Sequence, residues 1–174
     1  MKLDQRLQQI QLILSDVDGV LTDGSISYDN QGIESKTFHV RDGMGIKLWQ
    51  RSGRKFGIIT ARSSHIVKVR MAELGVEMVR QGAENKLPVG IQLIKEAGLE
   101  PEQICYIGDD LSDLSLLSHV GLAATVSDAA AEVKSVAHLT TKSAGGHGAI
   151  RELVETILKS QKRWNELIQV YHNP

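Results

Sequence analysis

The stretch Leu12 to Gly24, LILSDVDGVLTDG, constrains the fold more than any other part of the sequence. Leu12, Ile13 and Leu14 form a short apolar run of the kind found in strands buried on both faces, and they lead directly into Ser15, Asp16, Val17, Asp18 and Gly19. In extended backbone, residues two apart point the same way, so Asp16 and Asp18 aim together while Val17 turns back. Two carboxylates side by side at the end of a core strand repel each other. The pair is tolerated where a cation sits between them or one of them holds a proton, and both conditions are those of a nucleophilic or acid/base site. Taken alone, Asp-x-Asp-Gly is also an ordinary solvated turn. What decides between the two readings is whether other strand ends answer it.

The rest of the chain reads as alternating strands and helices. Ser25 to Val40 has alternating Ile26 and Tyr28, turn residues Asp29 to Gly32 and a β-branched and aromatic return, which predicts a projecting β-hairpin with Ile26 and Tyr28 at an interface between subunits. A short helix follows over Gly43 to Arg51, then a buried strand Phe56 to Ile59 and a helix capped by Ser63 or Ser64 and ended by Gly75. Val76 to Arg80 is a third strand. Asn85 is placed to cap a helix running to Ala97, with Pro88 in its first turn. A fourth strand spans Ile104 to Ile107, followed by a helix near Leu111 to Ser118 and a strand Gly121 to Ala124. Asp128 caps a helix through Ser135, and His138-Leu139 makes an edge strand. The glycine-rich run Ser143 to Gly148 opens one long final helix, with Ile150, Val154, Ile157, Leu158, Leu167 and Ile168 as its apolar stripe and Glu152, Glu155, Lys159 and Lys162 on its wet face. This order predicts an α/β fold, a parallel sheet with helices on both faces. It forms a single domain over residues 1–174, with the hairpin at about 25–40, a C-terminal helix and tail at about 148–174, and no cap domain.

In such sheets, ligands bind beyond the carboxyl ends of the strands. That rule gathers Asp16 and Asp18, then Thr60, then Asp109 with Asp110 and Asp113, at one edge, and Lys86 joins them at a helix start after the third strand. Carboxylates, a hydroxyl and an ammonium together suit a phosphoryl group with a divalent cation. A phosphate monoester is a dianion, so a carboxylate reaches phosphorus only when positive charge offsets the repulsion. Mg²⁺ would supply that charge, held by Asp16, Asp109 and a main-chain carbonyl, with Asp18 in the same metal-facing set. Oxygen-only donors favour this hard ion over zinc. Lys86 and the Thr60 hydroxyl would grip phosphate oxygens, Asp16 would attack phosphorus, and Asp18 would protonate the leaving alkoxide and then deprotonate water. Asp110 and Asp113 also read as helix caps, Asp113 additionally as a partner that orients Lys86 or the metal's surroundings.

DVDGVLTDG (Asp16 to Gly24), the threonine of IITAR (Ile58 to Arg62), the lysine of ENK (Lys86) and GDDLSD (Gly108 to Asp113) resemble, in order and spacing, the four motifs of the haloacid dehalogenase superfamily of phosphatases. The order separates this reading from a receiver-like, non-catalytic phosphate-binding module, whose phospho-accepting aspartate lies on a later strand. The resemblance implies a Rossmann-like fold. Its extension through FHVRDGMGIK (Phe38 to Lys47), VKVR (Val67 to Arg70) and Gly145 to Glu152 is similar to the cap-less 3-deoxy-D-manno-octulosonate 8-phosphate phosphatases of lipopolysaccharide precursor synthesis. It implies a homotetramer with shared active sites, and a small anionic sugar phosphate bound along His39, Val40, Arg41, Asp42, Gly43, Lys47, Thr60, Ala61, Arg62, Arg70 and Lys86. His147 departs from the arginine expected in the glycine-rich tail, which keeps phosphatases of nine-carbon sugar acid 9-phosphates open as an alternative.

Composition sets the outer bounds. A net charge of −1 and a sequence pI near 6.6 leave no electrostatic footprint for nucleic acid or an anionic membrane. No apolar run approaches the ~20 residues of a membrane span, and Met1 to Gln11 is polar rather than signal-like, so a cytoplasmic location is expected. The one cysteine, Cys105, lies in an apolar run and reads as a buried structural thiol.

Overall fold

The computed structural model describes residues 1–172. Helix α1 (Leu3–Gln9) leads into strand β1 (Leu12–Ser15), and the acidic loop then runs to a two-stranded antiparallel hairpin, β2 (Ser27–Tyr28) and β3 (Glu34–Ser35). There follow α2 (Val40–Arg51), β4 (Lys55–Ile59), α3 (His65–Glu73), β5 (Met78–Arg80), α4 (Lys86–Ala97) and β6 (Ile104–Gly108). A 3₁₀ turn at Leu111–Asp113 runs into α5 (Leu114–Leu117), and the chain ends through β7 (Leu122–Thr125), α6 (Ala131–Val136), β8 (Leu139–Thr140), α7 (Ala149–Ser160) and α8 (Trp164–Gln169).

The six strands outside the hairpin form one parallel sheet in the order β5-β4-β1-β6-β7-β8. The chain first steps outward from β1 to β4 and β5, then crosses back to β6 and steps the other way. Because strand-to-strand crossovers are right-handed, this reversal places the helices of the two halves on opposite faces. It also makes the gap between β1 and β6 the topological switch point, where such sheets open a crevice at their carboxyl ends. In the register, Ser15 lies between Ile58 of β4 and Ile107 of β6, so the residue that follows β1, Asp16, stands at the mouth of that crevice. β1 is buried along its whole length, as a central strand covered on both faces must be.

Several expected boundaries move, each for a local reason. α1 was not foreseen because it buries only Leu7 and shows no apolar stripe; Gln161 fastens it by donating to the carbonyls of Leu7 and Ile10. α2 begins at Val40 rather than Gly43 because His39 caps it, its Nδ1 accepting from the Arg41 N–H at 3.2 Å. This shortens the return arm of the hairpin, whose ladder ends at Ser35. Asp128 does not cap α6; its carboxylate accepts from Gly145 N–H at 2.9 Å. The long final helix is two helices. Arg163 N–H bonds Leu158 O and Lys162 N–H bonds Lys159 O, a Schellman closure with Lys162 at φ 57° in the position glycine usually takes. Cys105 is fully buried and burial holds its thiol far above the usual range, which makes it inert. Among the described residues no helix is long and apolar enough to cross a membrane.

Candidate active site

The site is assembled from strand ends. Asp16 leaves β1 almost fully buried, and its two oxygens are both engaged: Oδ1 accepts from Val17 N–H at 2.6 Å, and Oδ2 lies 2.7 Å from Lys86 Nζ. Lys86 opens α4 and is buried, its ammonium shared with Asp113 Oδ1 at 2.6 Å. Burial works against that charge, but the two carboxylates outweigh it and hold the Lys86 pKa above its ordinary value.

Asp113 has no oxygen left to offer. Oδ1 also accepts from the Tyr106 hydroxyl at 2.5 Å, while Oδ2 accepts from the N–H groups of Asp109 and Asp110 at 2.9 and 3.2 Å. It therefore works as a brace between Lys86, β6 and the loop after β6. Asp110 caps the 3₁₀ turn through Leu111 N–H at 2.8 Å and faces solvent.

Asp16, Asp109 and Asp113 each bring a carboxylate oxygen within 4.8 Å of the others. Asp113 takes two donors on each oxygen whereas Asp16 takes one on each, so Asp16 and Asp109 are the pair with acceptor capacity left for a cation. Asp109 Oδ1 is buried without a hydrogen-bond partner, the condition of an oxygen that expects a metal. Burial first, and then the neighbouring carboxylates, raise Asp109 to about 7 and Asp16 to about 6. A cation between them would return both to their ionised forms. The oxygen-only donor set fits Mg²⁺.

Glycines make room for this cluster. A Cβ on Gly19, which sits at φ +92°, would lie 2.0 Å from Asp109 Oδ2. The glycine-rich segment before α7 closes over the same loop: a Cβ on Gly145 would meet Gly19 O at 1.9 Å, and Gly146 N–H donates to Val20 O at 2.9 Å. His147 is exposed on this segment, with its Nδ1 2.7 Å from Gly145 O.

The other expected residues fall into groups. Thr60 is buried at the end of β4 and Ala61 beside it is exposed. Asp18 lies outside the metal cluster, where its carboxylate binds Lys36 of the hairpin's return arm and lies 4.0 Å from Arg62 Nε. Arg62 reaches the hairpin, donating to the Tyr28 hydroxyl at 2.8 Å and to Glu34 at 3.2 Å. Arg70 pairs with Glu73 and lies against Gly43, over the Phe38 ring at 5.9 Å. Val40, Arg41 and Lys47 project from α2 into solvent. Asp42 is turned inward, its Oδ1 accepting from Arg151 N–H at 2.8 Å, so it fastens α2 to the start of α7.

Sequence reasoning did not pick out Lys36, Glu34 and Tyr106. Glu34 and Lys36 are two apart on an extended arm and thus share a face, the one signal that could have paired them. A concavity of about 530 Å³, lined by residues that include Arg54, Phe56 and Met78, lies at the opposite end, where β4 and β5 begin, away from the Asp16, Asp109 and Asp113 cluster.

The family model for haloacid dehalogenase-like hydrolases matches residues 81–153. The 3-deoxy-D-manno-octulosonate 8-phosphate phosphatase of Haemophilus influenzae is 39% identical over 91% of this chain and 88% of its own. The crystal structure of the Yersinia pestis phosphatase of that name superposes with a TM-score of 0.92 at 40% identity, covering 93% of this chain and 88% of that one. The Moraxella catarrhalis phosphatase, solved in complex with magnesium, phosphate and KDO, gives 0.94 at 39% identity, with 97% of each chain covered. The chain belongs to the haloacid dehalogenase-like hydrolases, in the branch of the 3-deoxy-D-manno-octulosonate 8-phosphate phosphatases, and is a phosphatase.

Proposed function

We propose that this phosphatase hydrolyses 3-deoxy-D-manno-octulosonate 8-phosphate to the free sugar acid and inorganic phosphate, through an aspartyl-phosphate on Asp16, as a cytoplasmic step in making lipopolysaccharide precursors. The observation that carries the reading is Asp16 itself, a strand-end carboxylate at the switch point, fixed by Val17 N–H and Lys86 beside the unpartnered oxygen of Asp109. Mg²⁺ would be held by Asp16, Asp109 and the Asp18 main chain, and it supplies positive charge that lets a carboxylate approach a phosphate dianion. Lys86 adds a fixed ammonium to the same pocket, and Thr60 offers its hydroxyl to a phosphate oxygen. Asp16 attacks phosphorus in line while Asp18 gives a proton to the departing sugar oxygen; Asp18 then takes a proton from the water that cleaves the acyl phosphate.

The substrate's sugar acid is read by the α2 segment. His39 caps that helix, Val40, Arg41 and Gly43 lie in its first turn and Lys47 two turns on, with Arg62 and Arg70 as cations for the carboxylate or phosphate. Asp42 holds the segment in place from behind. A homotetramer that packs its hairpins together and closes each site with a neighbour accounts for the exposed Ile26, Tyr28, Ile33 and Val40, the last 82% exposed. Residues 1–174 then act as one domain with no cap of their own.

Phosphate release from 3-deoxy-D-manno-octulosonate 8-phosphate and from a nine-carbon sugar acid 9-phosphate, with Mg²⁺ or chelator, tests the reading. Turnover of the first ester that needs Mg²⁺ and disappears in Asp16→Asn and Asp18→Asn is the expected result. Faster turnover of the nine-carbon ester would reassign the substrate. No turnover of either would return the chain to phosphate binding without catalysis.

A further inference from the structure

The hairpin delivers a charge network to Asp18. Lys36, whose side chain is only 1% exposed, donates to Asp18 Oδ1 and lies 3.3 Å from Glu34 Oε1. Glu34 in turn accepts from Arg62 at 3.2 Å and from the Ser64 hydroxyl at 2.5 Å, and Ser64 is the N-cap of α3. Two anions and two cations thus connect the loop after β1, the hairpin and the loop after β4. A buried ammonium is costly to leave without a partner, so Lys36 stays on these carboxylates.

The contact matters because a carboxyl group has no strong rotational preference of its own about its last bond. Nothing within Asp18 selects which oxygen faces a leaving group. Lys36 holds Oδ1, whereas Oδ2 faces Arg62 Nε at 4.0 Å, too far for a hydrogen bond, and that Nε has no other partner.

We propose that Lys36 is a positioning residue for the reaction: by pinning Oδ1 of Asp18 it leaves Oδ2 as the oxygen that passes the proton to the departing alkoxide, and Glu34 holds Lys36 there. The inference rests on the reading of Asp18 as the acid.

The test uses leaving-group dependence, which a loss of folding or of phosphate binding does not alter selectively. The sugar alkoxide needs a proton as it leaves and p-nitrophenolate does not. Because Asp18 also serves the water step that both esters share, the readout is the single-turnover rate of leaving-group release. In Lys36→Met it is expected to fall about ten- to hundredfold on 3-deoxy-D-manno-octulosonate 8-phosphate, part of the range general acid catalysis supplies, and less than about threefold on p-nitrophenyl phosphate. Lys36→Arg, which keeps the cation, recovers most of the loss. Glu34→Gln reads the same quantity if Lys36→Met does not fold, and is expected to show the same selectivity. Asp18→Asn runs alongside. If it is selective while the Lys36 and Glu34 variants lose both substrates equally, or neither, the positioning role is overturned and the acid assignment stands. If Asp18→Asn is itself unselective, the acid assignment falls and this inference falls with it.

Discussion

Mg²⁺ affinity should rise steeply with pH between about pH 5.5 and pH 8, because the two carboxylates available to the ion hold protons in its absence. Asp109 is raised to about 7 and Asp16 to about 6, in both cases chiefly by burial and then by neighbouring carboxylates. At about pH 5.5 a group of pKa 7 is ionised roughly 3% of the time and one of pKa 6 roughly a quarter of the time, so the cation must displace up to two protons. Taken independently these give roughly a hundredfold gain in affinity by pH 8. Asp109 keeps some contact with water and the two groups titrate together, so the expected gain is about tenfold to a hundredfold. Stability follows the same sign. A carboxyl whose pKa is raised on folding favours the native state at low pH and loses that advantage as pH climbs through the folded value. Chelated protein should therefore lose melting temperature from about pH 4, just above the ordinary carboxyl value of 3.8, to about pH 7, and the increment restored by Mg²⁺ should grow as the pH rises. Titration calorimetry in two buffers of different ionisation enthalpy measures both the affinity and the protons released. An affinity flat within about twofold, with no proton release near pH 6, would refute the claim that Asp16 and Asp109 take up the ion.

Three further outcomes are expected. Gly145→Ala drives a methyl to 1.9 Å from Gly19 O, so it should cost about 1–3 kcal/mol in thermal unfolding and depress turnover by more than tenfold through the displaced acidic loop. Tyr106→Phe removes one of two donors to Asp113 Oδ1 but leaves Lys86 in place; urea unfolding should register about 1–2 kcal/mol, with turnover reduced less than about tenfold. Asp42→Ala strips an acceptor from the first turn of α7, and a loss of about 1 kcal/mol in urea unfolding is expected from the missing cap.

The parts of the molecule that a linear reading reaches are those fixed by short-range pattern and one topological rule. Asp16, Lys86 and Asp109 each follow or begin a well-marked element, and the rule that ligands gather at carboxyl strand ends brings them together. α1 escaped because a helix that buries little beyond Leu7 has no periodicity to detect. The break between α7 and α8 escaped because Lys162 takes a left-handed conformation that glycine usually marks. Lys36 and Glu34 escaped because no local pattern says where a hairpin's return arm will dock; only the assembled loops after β1 and β4 give their charges partners. Asp42 carried a family signature for substrate, yet its side chain turned out to be engaged with a helix start. Backbone donors are invisible to residue-type reasoning.

The clasp of Gly145 and Gly146 on the acidic loop, together with the Asp42–Arg151 bond across 109 residues of sequence, carries a consequence for biosynthesis. A nascent chain exposes Asp16 early, but the segment that shapes its loop leaves the ribosome more than a hundred residues later. Contacts this distant form late. Products that stop before α7 should therefore accumulate as inert polypeptides rather than as unregulated hydrolases, so that catalytic competence waits on the synthesis of α7.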